Sequence, residues 1–83
     1  MTYFVYMLKC ITSLKKKTYV GYTSDLHERL KLHNSNKGAK STKGHEWKLI
    51  YKKRFTTKSN AMSYEYKLKH DRNKRLIIYN KHL

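Results

Sequence analysis

From Tyr3 to Leu8 the chain runs without a charge through aromatic and branched residues, Tyr3-Phe4-Val5-Tyr6-Met7-Leu8, the composition of a β-strand. Residues 11–17 are polar and lysine-rich, and Thr18-Tyr19-Val20-Gly21-Tyr22 then returns as a second strand, so the start of the chain predicts a hairpin. Gly21, near the end of that strand, permits a bulge or a close backbone approach. Thr23-Ser24-Asp25 supplies helix-start chemistry, with Asp25 and Glu28 at the spacing of a capping box, and the helix runs to about Asn34. Residues 35–45 hold two glycines, three lysines and small polar residues, with almost nothing to bury, and read as a loop. Trp47, Leu49 and Tyr51 alternate with Lys48 and Lys52, which predicts a third strand through about Phe55. Thr57-Lys58-Ser59 restarts a helix carrying Ala61, Met62, Tyr64 and Leu68. Asp71 caps a last short helix whose Leu76, Ile77 and Tyr79 are expected to pack back. This order predicts an α+β fold, a small three-stranded antiparallel sheet flanked by helices, with residues 1–83 forming one domain.

Composition narrows what such a domain does. At 83 residues it buries only about 60% of its unfolded surface, so polar groups spent on the interior need a reason. Eleven aromatics, eight of them tyrosine, make a small core feasible. Cys10 is the one cysteine, which excludes an intrachain disulfide or a cysteine metal cage and fits a reducing compartment. The start carries no charged region ahead of an apolar run, and Lys9 interrupts the apolar stretch. No signal peptide, membrane span or membrane association is expected, and the expected location is the cytoplasm, including the nucleoid. Twenty Lys and Arg against five acids leave a net charge of +15, which favours a polyanionic partner because each neutralised phosphate releases a counterion.

The helices carry polar residues where packing would prefer aliphatics. Positions 26, 29, 30 and 33 follow one helical face; Leu26 and Leu30 fill two, while Arg29 and His33, one turn apart, fill the others. Glu65 lies four residues after Ala61 and three before Leu68, against the packing face of the next helix. Each residue also has an ordinary use. Arg29 suits a stripe edge with its head in water, and His33 suits a helix C-terminus. Glu65 suits a salt bridge with Arg29 or Lys69, and Tyr6 and Tyr19 suit strand aromatics. Their joint occurrence in this order sets them apart. Lys37, Lys40 and Lys43 follow the arginine–histidine helix on the glycine-containing loop and suit backbone phosphates rather than base edges, while Lys15-Lys16-Lys17 either extend that footprint or are simply solvated.

These residues resemble the GIY-YIG endonuclease superfamily, most closely its small single-domain bacterial members. Phe4-Val5-Tyr6 corresponds to the first motif, with Phe4 in place of the name-giving glycine, and Tyr19-Val20-Gly21 to the second. The family's helical arginine falls on Arg29 and the following histidine on His33. Ala61 to Lys69, reading A-x-x-x-E-x-x-L-K, carries the metal-binding glutamate onto Glu65.

The resemblance implies a divalent-metal-dependent endonuclease acting on DNA, with RNA left open and repair or recombination as the setting. Glu65 would hold one Mg²⁺, or Mn²⁺ in its place, together with substrate phosphate. Arg29 would grip the phosphate through its planar fork, Tyr6 or Tyr19 would take the proton of the attacking water, and His33 would relay a proton or orient a phenol. With no appended recognition domain expected, selectivity falls to DNA structure, the loop or a partner protein, and oligomeric state is left open. Two other functions fit the same residues: a nucleic-acid-binding module of this fold with weak or lost chemistry, and a basic ribosome- or membrane-associated interaction protein.

Overall fold

The computed structural model describes residues 1–12, 17–35, 37–38 and 40–81. Strand β1 (Tyr3–Cys10) is central, with β2 (Thr18–Thr23) and β3 (Trp47–Phe55) antiparallel on either side. This position explains the unbroken apolar run of β1. A strand covered on both faces buries consecutive side chains, and Val5, Tyr6, Met7 and Leu8 are all at most 1% exposed. Helix α1 (Leu26–Asn34) covers one face, where Tyr6, Leu8, Cys10 and Trp47 pack with Tyr19, Leu26, Leu30 and Leu49. Helices α2 (Lys58–Lys69) and α3 (Arg72–Asn80) cover the other, over Val5, Met7, Val20 and Ile50. The α+β fold read from the sequence is the fold observed.

The helix starts are chemically ordinary. Asp25 accepts a hydrogen bond from the Glu28 amide, Thr57 from that of Asn60 and Asp71 from that of Lys74, each satisfying a donor of a first turn. Other expectations need correction. Tyr51 does not share a face with Trp47 and Leu49. A bulge opposite Met7 and Leu8 leaves Ile50 as an extra residue, pairing Leu49 with Leu8 but Tyr51 with Met7, so Tyr51 points to the α2 face with Ile50. On α3, Tyr79 packs back as expected, but Leu76 and Ile77 are exposed and Ile78 packs in their place. The loop at 35–45 contains a short 3₁₀ turn, Lys40–Thr42. Lys15 and Lys16 of the hairpin turn lie outside the described residues.

Candidate active site

Tyr6 and Gly21 are cross-strand partners, and the Tyr6 phenol extends across the glycine. A Cβ placed on Gly21 would stand 2.6 Å from Tyr6 Oη and 3.0 Å from Tyr19 Cε2, so this position is glycine because two phenols occupy the space beside it. From α1, His33 enters the same pocket and is fully buried. Its Nε2 lies 2.9 Å from Tyr6 Oη and its Nδ1 3.0 Å from Thr42 Oγ1, a continuous buried chain of phenol, imidazole and hydroxyl. The Tyr19 ring lies against the imidazole with centroids 4.7 Å apart. The Arg29 guanidinium, one turn before His33, is within hydrogen-bonding reach of both phenols.

Thr42 and Gly38 are site residues that the sequence reading missed. The 3₁₀ turn carries Thr42 under the histidine, and the Trp47 indole N–H donates to the Thr42 carbonyl at 2.9 Å, fixing the turn to β3. A Cβ on Gly38 would meet His33 Nδ1 at 2.5 Å, so the loop backbone closes directly over the imidazole. Asn34 completes the anchor, accepting from the Trp47 amide and donating to its carbonyl. The signal for these roles was faint. Glycine and threonine in a polar loop read as solvent-facing until the fold brings a buried histidine to them.

Charge follows from burial here. Desolvation raises the pKa of Tyr6 to about 12, against a smaller opposing pull from the nearby Arg29 guanidinium. At neutral pH the fraction ionised in the free protein is then roughly one in 10⁵. Burial, aided by the Arg29 charge, holds His33 below the ordinary histidine range, so the imidazole is neutral and offers one donor and one acceptor to its two hydroxyl neighbours. Stability follows. As pH falls below about 6.5 the unfolded chain takes up a proton at position 33 that the folded chain resists, so this contribution is full above that pH and declines below it. Urea unfolding at pH 7.5 and pH 5 should show a loss of stability on acidification that is smaller in His33→Gln than in the wild type.

Glu65 comes from the opposite face of the sheet. Helix α2 packs over β1 and β2, and the carboxylate is near enough to the β2 edge to add to the rise in the Tyr6 pKa. Its side chain is 17% exposed and ion-paired with Lys69 at 3.3 Å, which is one of the two structural partners the sequence allowed. Tyr6, Tyr19, Arg29 and His33 thus form one cluster, with Glu65 at its margin. Lys37, Lys40 and Lys43 are exposed on the loop that closes over His33. Among the described residues no group of three or more His, Cys, Asp or Glu could hold a metal. A lone carboxylate beside an open cleft fits a magnesium ion only when substrate phosphate and water complete its shell.

The GIY-YIG catalytic domain model matches residues 2–80. The UPF0213 protein YazA of Bacillus subtilis is 42% identical over 78 residues, spanning 93% of this chain and 76% of the relative. YsiG, a UPF0213 protein of Lactococcus lactis, is 48% identical over 69 residues, 82% of this chain and 64% of the relative. The solution structure of a UPF0213 protein from Bacillus halodurans matches with a TM-score of 0.56 at 37% identity, covering 99% of this chain and 86% of that one.

Proposed function

Since the chain belongs to the GIY-YIG catalytic-domain family, a nuclease family, we propose that it is a divalent-metal-dependent endonuclease that hydrolyses DNA phosphodiester bonds. The observation that carries this reading is the convergence of two phenols, a guanidinium and a neutral buried imidazole at the β2 edge. A purely structural core gains little from burying Tyr6 and His33 beside a half-buried phenol and guanidinium in so small a domain.

Tyr19 is the phenol that meets the attacking water. It is half-buried and lines an open cleft, whereas Tyr6 is 1% exposed with its hydroxyl committed to His33. Arg29 places fixed positive charge beside Tyr19 and binds the phosphate with its planar fork. Tyr6 and His33 hold the Tyr19 ring by ring contact, and Thr42 in turn fixes the imidazole. Glu65 is the residue that would hold magnesium or manganese, with the substrate phosphate as co-ligand. The ion, when bound, supplies Lewis-acid stabilisation of charge on the phosphate. Lys37, Lys40 and Lys43 contact backbone phosphates beyond the helix. We place this activity in the cytoplasm, which the lone Cys10 supports; no helix among the described residues is long and apolar enough to cross a membrane.

Supercoiled plasmid and branched DNA incubated with the protein and Mg²⁺ or Mn²⁺ should be nicked. Arg29→Lys keeps the charge but loses the fork, and should lower the cleavage rate by about 10²-fold. Full activity in that variant contradicts the phosphate-gripping role. One observation favours the non-catalytic binding module instead: in the free protein Glu65 is already paired with Lys69. If DNA is bound but never cut with either metal, that module is the function.

A further inference from the structure

Two clefts lie side by side along the β2 edge and share Thr18 and Arg75. The first includes Tyr19 and Lys69; the second continues across α3 to Arg72 and Tyr79. Together they form one groove that starts at the candidate active site and runs along the edge strand to the last helix. Its lining carries three cations and no carboxylate. We infer that this groove, through Lys69, Arg72 and Arg75, carries the phosphodiester backbone of the nucleic acid into the site. This rests on the nuclease reading and names a contact surface separate from the loop lysines.

Three features support the assignment. Arg75 is held in place before any ligand arrives, because its Nη1 donates to the Leu68 carbonyl at 2.9 Å and to the Lys69 carbonyl at the end of α2. A guanidinium fixed through one nitrogen keeps its remaining donors in a planar fork suited to phosphate. Lys69 joins the groove to the site, since its ammonium pairs with Glu65 in the free protein and is 46% exposed. A phosphate arriving at Lys69 would replace that partner with another anion at little cost, as i,i+4 helix pairs are worth only about 0.3–0.5 kcal/mol. Arg72 is exposed on the same lining, and Thr18 adds a hydroxyl suited to phosphate.

The test is binding of a short DNA duplex in metal-free buffer over a range of salt, with circular dichroism to confirm folding. Lys69→Gln/Arg72→Gln should reduce the slope of log affinity against log salt by about 1.8, and Arg72→Gln alone, which leaves the Glu65 pair intact, by about 0.9. The control is Lys48→Gln/Lys67→Gln, which removes the same charge from exposed positions outside the groove and should leave the slope near the wild-type value. A wild-type slope in the groove variants overturns the inference, as does an equal loss in the control. A wild type with no salt-dependent binding overturns the nuclease reading along with it; a wild type that binds steeply while the groove variants match it overturns the groove alone.

Discussion

Glu65→Ala should reduce DNA cleavage by about 10³-fold or more while leaving the protein folded and still able to bind DNA without metal. The size follows from the proposed role, because Lewis-acid stabilisation of a phosphoryl group is worth several kcal/mol and each 1.36 kcal/mol is tenfold in rate. The fold should tolerate the change. The ion pair lost is an i,i+4 pair on α2 with its lysine nearly half exposed, and helix pairs of this kind contribute about 0.3–0.5 kcal/mol. Metal-free binding should hold or tighten, since removing a carboxylate beside a phosphate path removes repulsion and frees an ammonium. Cleavage rates on plasmid, with binding followed by anisotropy in chelator, check both halves. Cleavage within tenfold of the wild type would remove Glu65 from the mechanism.

Gly21→Ala adds one methyl and should damage the site from the opposite direction. The new Cβ would lie 2.6 Å from Tyr6 Oη, 2.8 Å from Tyr6 Cζ and 3.0 Å from Tyr19 Cε2, so a phenol ring must move. Tyr6 has little room to do so, being 1% exposed and bonded to His33. Overpacking of this kind costs about 1–3 kcal/mol, and an ångström of displacement at reacting groups costs about 10²-fold in rate. The expected result is a folded protein with a lower unfolding midpoint and cleavage slowed about 10²-fold. An active variant of wild-type stability would show that the two phenols need not sit where the structure places them.

Much of the architecture was legible along the chain because it is encoded locally. The apolar run of β1, the return of β2, and the caps at Asp25, Thr57 and Asp71 each depend on neighbours a few residues apart. The misreadings share a cause. The face of Tyr51 was misjudged because a bulge is a property of two paired strands, and one strand's alternation cannot reveal the extra Ile50. On α3 the packing of Tyr79 was legible, but Ile78 was missed because the stripe of Arg75, Ile78 and Tyr79 carries a cation where an apolar pattern search expects a hydrophobe. Arg75 lies across the end of α2 and donates to the Leu68 and Lys69 carbonyls.

The candidate site divides along the same line. Arg29, His33 and Glu65 stood out singly, at helix positions that packing would give to aliphatics, whereas Tyr6 and Tyr19 were picked out only by occurring in order with them and by the family resemblance. Tertiary structure decided where they sit and what surrounds them. Packing β1 between two layers buried Tyr6 and raised its pKa, left Tyr19 at the open edge, and brought Thr42 and Gly38 around His33 from a loop that had looked solvent-facing. It also set Glu65 on the far face beside Lys69. Side-chain chemistry is carried by single residues and can be read one at a time. Burial, proximity and charge environment depend on which distant segments meet, and those arise only when the chain has folded.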